Sequence, residues 1–311
     1  MNRIGPITAI VTAYQRVEQT LETIRRLKAC KPAPDEILVH VDANQTACAD
    51  AIASAFPDLR ILQSADAVGP GGGRNKLVAA ARNERIASFD DDSYPLDGDF
   101  FERVLVLTKT FPDAALIGGS IIHRGEDDVV DRAVVSMAAS FAAGGVVLCR
   151  SDFLAAGGFV PLAVAYGMEE EDLSLRLINR GKTVLTSPWL RIFHDTDLSH
   201  HRAARVTSGS IANLALLAWL RYPLAYWPYG GLQVLNRVVW CLRVGRIAGI
   251  VQGLASIPAH VGRHRHLRQP VSRQTMRLRF AARASLPAPF DPRAIASENV
   301  ADEGKCCGGT A

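Results

Sequence analysis

The chain of 311 residues is long enough for one large α/β domain or two smaller ones, and its composition, 48% hydrophobic and 21% charged, is that of an ordinary globular protein. A formal net charge of +4 is too small to indicate nucleic-acid binding, so we expect no nucleic-acid partner. The six cysteines show neither zinc-site spacing nor the density of a small secreted scaffold, which predicts free thiols and a cytoplasmic location.

Strand and helix patterns alternate over the first 95 residues. The segment ITAIVTA at 7–13 predicts a strand, helical spacing follows it, and EILVHVD at 36–42 predicts a second strand. A weaker helix and strand at 51–63 precede a helix and the strand that ends at 89. Later elements are a helix at 100–110, a strand at 115–122, a strand and short helix at 144–159, a helix at 168–181, and extended segments at 182–186 and 190–194. This order predicts an α/β protein with a doubly wound, mainly parallel sheet.

The strand at 86–89 leads directly into Asp90, Asp91 and Asp92. In open α/β sheets the ligand crevice lies outside the carboxyl ends of the strands. Alternate side chains of an extended chain share a face, so Asp90 and Asp92 are expected to converge while Asp91 points elsewhere. Oxygen ligands of this kind suit Mg²⁺ or Mn²⁺. An acidic turn that caps the next helix is the alternative.

A glycine-rich segment, GPGGGRN at 69–75, opens the helix before that strand. It has neither the Gly-Lys-Ser/Thr of a P-loop nor the spacing of a dinucleotide fingerprint. Glycines such as Gly71 would let an anion approach the backbone, and Arg74 would add a positive charge. A flexible loop followed by a helix cap is the other interpretation.

Polar residues also follow the first two strands. Thr12, Tyr14 and Arg16 would offer a nucleotide a hydroxyl group, a stacking ring and a cation. The carboxylate of Asp42 could accept hydrogen bonds from a base or a ribose. A helix cap is the alternative for Asp42, and each of the other residue types is common in loops.

A second acidic cluster, EEED at 169–172, lies at the start of the predicted helix at 168–181. Neighbouring carboxylates raise one another's pKa, which favours a general base among Glu169, Glu170 and Asp172. The alternative is that these residues only stabilise the first turn through the helix dipole. His194, after a short strand, is a candidate third metal ligand or a structural histidine.

Taken in chain order, the motifs resemble those of family 2 glycosyltransferases with the GT-A fold. The five segments are VTAYQR at 11–16, VDAN at 41–44, GGGRN at 71–75, DDD at 90–92 and EEEDLSLRL at 169–177. The resemblance covers about residues 5 to 200. It implies an inverting transfer of a sugar, of the hexosyl class, from a nucleoside-diphosphate sugar to an acceptor hydroxyl.

The same resemblance implies roles for individual residues. Thr12, Tyr14, Asp42 and Asp90 would contact the nucleoside, and Asp91 is also expected among the donor-binding residues. The metal ligands would be Asp92 and His194, binding Mg²⁺ or Mn²⁺, and the catalytic base would be Glu170. Two rival functions stay open: a nucleotidyltransferase that makes nucleotide sugars, and a non-catalytic module that binds them.

The predicted domains are the transferase at 1–204, a helical, basic and aromatic extension at 205–283, and a disordered tail at 284–311. Aromatic residues beside arginines at 208–253 suit a membrane surface, whereas packing on the core or a dimer contact is the alternative. Its apolar stretch is interrupted and too short to span a bilayer. We expect a peripheral position at the inner face of the plasma membrane, a saccharide or polyprenyl-linked acceptor, and a role in making cell-surface glycan or exopolysaccharide.

Overall fold

The computed structural model describes residues 6–126, 132–196 and 203–292. The strands are β1 (Ile7–Ala13), β2 (Glu36–Val41), β3 (Arg60–Gln63), β4 (Arg85–Asp90), β5 (Ser93–Pro95), β6 (Ala114–His123), β7 (Val134–Met137), β8 (Gly145–Cys149), β9 (Thr183–His194) and β10 (Ala288–Pro289). The helices are α1 (Val17–Ala29), α2 (Thr46–Ala55), α3 (Gly69–Ala80), α4 (Phe100–Thr110), α5 (Arg150–Ala155), α6 (Glu169–Asn179), α7 (Ala204–Arg221), α8 (Trp227–Arg243), α9 (Ile250–His264) and α10 (Arg273–Arg283).

One sheet contains all the strands, in the order β10-β7-β9-β6-β8-β4-β1-β2-β3, with β5 paired to β9. Strands β1 to β4 are mutually parallel along this order. Beyond β4, strand β8 is antiparallel to both β4 and β6, whereas β9 is parallel to β6. The α/β prediction is confirmed, and the sheet is parallel in its first half and mixed in its second.

Two hydrophobic clusters cover the two faces of the sheet. In β1, Ala9 and Val11 belong to one cluster and Ile10 to the other, because successive side chains point to opposite faces. Helices α1 and α4 pack on the first cluster, and α3 and α6 contribute to the second. Covering both faces explains why β1 and β2 read as nearly continuous apolar runs.

Helices α7 to α10 form the C-terminal part of the fold. Helix α7 is largely buried and packs against α8 and α9, and α10 packs against α6. Among the described residues, every helix falls short of the combined length and apolarity that a bilayer span requires.

The prediction of a disordered tail at 284–311 is wrong for the described part, which ends at residue 292. Ala288 and Pro289 form β10, which pairs with β7 at the sheet edge, where a proline can be accommodated. The ring of Phe290 lies 5.3 Å from that of Trp189 and 5.8 Å from that of Phe111, measured between ring centroids. One aromatic side chain thus anchors a segment whose composition is typical of a tail. Residues 293–311 lie outside the described residues.

Candidate active site

The acidic end of β4 meets a histidine from β9. Asp90 is the last residue of β4, and Asp92 lies in the turn before β5. Because β5 pairs with β9 and places Ser93 opposite His194, the imidazole reaches Asp92, with Nε2 3.1 Å from Oδ1. One ligand atom each from Asp90, Asp92 and His194 lie within 4.8 Å of one another. The structure therefore brings together Asp90 and Asp92, as the alternation predicted, and adds His194.

Cations and donors compensate the crowded carboxylates. Arg16 forms ion pairs with Asp92 and with Asp91, the latter at 2.8 Å. Burial acts to raise the pKa of Asp92, but the hydrogen bond with His194 and the charge of Arg16 outweigh it and hold that pKa below its usual range. Asp91 is buried, accepts from the backbone N–H of Tyr14 at 3.2 Å, and burial raises its pKa to about 7. The ionised form of Asp92 is therefore favoured, with one oxygen on Arg16 and the other on His194.

The donor set fits a divalent cation. Two carboxylates and one imidazole are ligands that Mn²⁺ accepts readily, and Mg²⁺ also takes the carboxylate oxygens. Asp92 is almost fully buried, whereas Asp90 and His194 are half-buried. The cluster thus has a closed inner side and a partly open outer side.

A cavity of about 450 Å³ opens beside this cluster. Six of the residues predicted to bind a cofactor line it, namely Thr12, Tyr14, Arg16, Asp42, Asp90 and Asp91. The other walls come from the start of α3, from the loop between α5 and α6, and from the start of α7. The cavity lies at the carboxyl ends of β1, β2 and β4, where ligands bind in open α/β sheets.

Asp42 lines the cavity but acts as a helix cap. Its two carboxylate oxygens accept hydrogen bonds from the backbone N–H groups of Val68, at 3.0 Å, and Gly69, at 2.9 Å. These are orphan donors at the start of α3, so the cap interpretation is the one the structure favours. The N-terminus of α3 therefore already holds a carboxylate, which leaves little room there for a phosphate.

The anion-binding interpretation of Gly71 is not supported. Helix α3 begins at Gly69, so the glycines are part of the helix and not of a preceding loop, and Gly71 is not among the residues that line the cavity. A Cβ atom on Gly71 would lie 2.6 Å from Oε2 of Glu169. The glycine instead allows α3 to pack closely against the start of α6.

Arg74 is likewise buried and away from the cavity wall. Its side chain donates to Ser88 at 3.1 Å, pairs with Asp90, and lies 3.8 Å from Oε1 of Glu169. The structure therefore gives Arg74 a structural role in place of the predicted contact with an anion. Arg74 joins the metal cluster to the second acidic cluster through one buried positive charge.

We expect replacement of Arg74 by methionine to destabilise the fold. Removing one partner of a buried ion pair leaves an uncompensated charge and costs about 3–5 kcal/mol. The free energy of unfolding from urea titration without added metal measures this effect. The matched control is Arg25→Met, because Arg25 pairs with Glu22 at the surface, and a much smaller change is expected there. Equal losses in the two variants would contradict the role assigned to Arg74.

The second acidic cluster separates into different environments. Asp172 is fully buried and accepts from Nε of Arg176 at 2.9 Å and from Nε of Arg221 at 2.5 Å, so it is held in ion pairs. Glu171 accepts from Nε of Arg279 at 2.6 Å. Asp172, one of the predicted candidates for the base, is therefore a poor proton acceptor because arginines occupy its oxygens.

Glu169 and Glu170 remain as candidates for the catalytic base. Glu169 is buried, its Oε2 has no hydrogen-bond partner among the described residues, and burial raises its pKa well above the usual range. Glu170 is half-buried, and burial raises its pKa although its backbone hydrogen bonds and Arg74 oppose the shift. Of the two, Glu170 is the one with access to solvent, as a base that receives a proton from an acceptor requires.

Sequence reasoning missed Tyr166 and Arg205. Both line the cavity, and Arg205 donates to the carbonyl of Ala163 at 3.0 Å. Tyr166 lies in a loop without a recognisable motif, so no sequence signal indicates it. Arg205 belongs to the basic C-terminal region, but nothing in that composition distinguishes it from its neighbours.

Comparisons with known proteins agree with this geometry. Residues 8–144 match the model of the family described as glycosyl transferase family 2. A mannosyltransferase from Pyrobaculum calidifontis, in complex with GDP-Man and Mn²⁺, is similar with a TM-score of 0.57 and 15% identity, and the match covers 89% of this chain and 79% of that one.

GalNAc-T7, solved with UDP, GalNAc and Mn²⁺, is similar with a TM-score of 0.59 and 11% identity. That match covers 75% of this chain and 52% of the other, so this chain spans about half of it. No curated protein gave a significant match. The sheet is of the GT-A type, and residues 8–144 of the chain match glycosyl transferase family 2.

Proposed function

We propose that the chain is a metal-dependent, inverting glycosyltransferase of the hexosyl class that uses a nucleoside-diphosphate sugar as donor. The observation that carries the proposal is the position of Arg74, which joins the cluster of Asp90, Asp92 and His194 to the helix that bears Glu170. The proposed donor site and the helix of the proposed base, Glu170, thus lie on two sides of the buried guanidinium group of Arg74. Both similar structures contain a nucleotide and Mn²⁺, which supports the choice of donor and metal.

The donor would occupy the cavity beside the metal cluster. Thr12 and Tyr14 offer a hydroxyl group and an exposed ring on its wall, and Arg16 offers a positive charge. Asp90, Asp92 and His194 would hold Mn²⁺ or Mg²⁺, which when bound stabilises the charge of the leaving diphosphate. Arg16 stays paired with Asp91 beside that charge and adds to the positive potential of the site.

Glu170 would act on the acceptor. As the acceptor oxygen forms its bond to the anomeric carbon, the bond from that carbon to the diphosphate oxygen breaks, and the hydroxyl proton passes to the carboxylate of Glu170. Attack from the side opposite the leaving group inverts the anomeric centre. The products are the glycosylated acceptor and a nucleoside diphosphate.

Product analysis tests this proposal. The wild-type chain is incubated with nucleoside-diphosphate sugars, Mn²⁺ and saccharide or polyprenyl-phosphate acceptors, and the nucleotide products are separated by chromatography. A released nucleoside diphosphate together with a glycosylated acceptor is the expected result. A parallel incubation with nucleoside triphosphates and sugar 1-phosphates that releases pyrophosphate and forms a nucleotide sugar would show a nucleotidyltransferase instead. Donor binding without turnover on any acceptor would show a binding module.

The surface formed by α8 and α9 supports a peripheral membrane position and a polyprenyl-linked acceptor. Large apolar side chains are exposed on these helices and in the segment between them, namely Leu232, Leu235, Trp240, Leu242, Ile247, Val251 and Leu254. The guanidinium groups of Arg237 and Arg246 lie 5.3 and 4.8 Å from the ring centroid of Trp240. The sequence has no Asp or Glu from 198 to 290, so the whole region is basic. Apolar and aromatic side chains beside arginines match the interface of an anionic bilayer, such as one where cell-surface glycan or exopolysaccharide is made.

Replacing both Ile247 and Val251 by glutamate should weaken binding to anionic vesicles about tenfold or more. Two exposed apolar side chains that enter the bilayer contribute about 1.5–3 kcal/mol each, and the new negative charges repel the lipid. Co-sedimentation with phosphatidylglycerol-containing vesicles measures the effect, with Leu286→Glu as the control at another exposed site. Unchanged binding in the double variant, or a dimer in light scattering that the double substitution disrupts, would overturn the membrane assignment.

A further inference from the structure

Helix α6, which carries Glu170, is held at its first turn by arginines from the C-terminal helices. Its N-cap residue, Met168, makes no side-chain capping bond, and four carboxylates crowd into its first turn. Arg221, the last residue of α7, donates to Asp172 at 2.5 Å, and Arg279 of α10 donates to Glu171 at 2.6 Å. The residues that immediately follow Glu170 are therefore both fixed from outside the sheet.

The same extension also holds the far end of α6. Oδ1 of Asn179, the last residue of the helix, accepts from the backbone N–H of Ser272 at 2.8 Å and from the hydroxyl group of Thr275 at 2.9 Å. Both donors lie at the start of α10. Helix α10 thus runs along α6 and contacts it at both ends.

The two arginines are buried with defined geometry. Arg279 has no exposed surface, and its guanidinium lies 5.3–5.8 Å from the ring centroids of Phe280, Tyr229 and Tyr222. Arg221 is 3% exposed and also donates to the carbonyl of Leu267 at 2.9 Å. Buried ion pairs seldom add stability over well-packed apolar residues, because desolvation costs as much as the attraction returns. What they do supply is a fixed orientation, because the planar guanidinium group presents its donors in set directions.

We propose that Arg221 and Arg279 are positioning residues that set the direction of Glu170. This arginine clamp, as we call the pair, fixes the residues after Glu170, while Arg74 and Gly71 fix Glu169 before it. The backbone that carries the Glu170 side chain is thereby held on both sides. The inference rests on the proposed function, since Glu170 acts as a base only if the chain transfers a sugar. It assigns to the C-terminal helices a part in turnover that is separate from the membrane surface of α8 and α9.

The clamp predicts a loss in kcat without a matching loss in donor binding. In Arg279→Met, kcat should fall about 10- to 100-fold, since a displacement of about 1 Å in a catalytic group can cost that much. The donor KM should stay within about twofold, because the proposed donor residues lie in β1, β4 and β9 or directly after β1 and β4. The kcat of Arg279→Lys should lie between those of wild type and Arg279→Met, because lysine keeps the positive charge but lacks the planar set of guanidinium donors. Arg221→Lys tests the second arginine, and Arg277→Met, exposed on the same helix, is the matched control.

Hydrogen exchange gives a readout that needs no turnover. In the clamp variants, amides at 169–173 should exchange faster, while those of β1 and β4 should stay protected, and circular dichroism should show a folded chain. A folded Arg279→Met variant with wild-type kcat, or one whose donor KM rises as kcat falls, would overturn the inference. If the wild-type chain transfers no sugar, the proposed function fails and the catalytic role fails with it. Unchanged exchange at 169–173 would overturn the clamp itself.

Discussion

Replacing Glu170 by glutamine should reduce sugar transfer by about 10²- to 10⁴-fold, the range that a positioned general base contributes. The amide has nearly the same shape but cannot accept the proton, so donor binding should be unchanged. Steady-state rates and calorimetric titration with the nucleotide measure the two quantities. The matched control is Glu102→Gln, an exposed position on α4, which should keep the wild-type rate. A Glu170→Gln variant that transfers sugar at the wild-type rate would exclude Glu170 as the base.

The pH dependence of kcat should carry the signature of the same residue. Burial raises the pKa of Glu170, and its backbone hydrogen bonds and Arg74 reverse only part of that shift. A base works only when deprotonated, so transfer is lost as pH falls through the raised pKa. The acidic limb should therefore lie at higher pH than the pKa of a solvent-exposed glutamate. The pH profile of the residual activity in Glu170→Gln should lack this acidic limb. The same acidic limb in wild type and in Glu170→Gln would show that another group causes it.

Replacing Asp92 by asparagine should reduce transfer about 100-fold or more and weaken Mn²⁺ binding. Substitution of partners that only support metal ligands already costs about 10- to 100-fold, so loss of a charged ligand should cost at least as much. Asp92 also pairs with His194 and Arg16, and the variant leaves both side chains without this carboxylate. Calorimetric titration with Mn²⁺ measures the affinity directly.

The control for this variant is Asp50→Asn, which removes an exposed carboxylate on α2. It should leave both Mn²⁺ affinity and transfer unchanged. Wild-type Mn²⁺ affinity in Asp92→Asn would place the metal elsewhere. Full transfer in the presence of a chelator, in wild type, would remove the metal from the proposed function.

The metal cluster could be predicted in large part from the sequence. A short apolar strand that ends in Asp90 and Asp92 places these carboxylates at the ligand-binding edge of an α/β sheet, which follows from strand geometry alone. His194 is 102 residues away from Asp92, and only the pairing of β5 with β9 brings it there. The family resemblance indicated this contact, and local patterns do not contain it.

Other features depend on contacts that local patterns do not encode. Gly71 had two interpretations, an anion site or a flexible loop before a helix cap, and the structure matches neither, because Gly71 lies within α3 and packs closely against Glu169. Asp42 likewise had two interpretations, and the position of α3 makes it a cap. Arg279 pairs with Glu171 across 108 residues, so a basic helix at the end of the chain gave no sign of its link to the base. The antiparallel insertion of β8 between β4 and β6 also arises from tertiary pairing.

The most direct test of the account is metal-dependent donor binding by the wild-type chain. Thermal unfolding is followed with a panel of nucleoside-diphosphate sugars, each with and without Mn²⁺. A ligand that binds only the folded state stabilises it by about 2.7 kcal/mol at 100 times its Kd. We predict that at least one nucleoside-diphosphate sugar raises the Tm in the presence of Mn²⁺ and has little effect without it. A panel in which no such sugar raises the Tm with Mn²⁺, or in which the increase is the same without metal, would contradict the account.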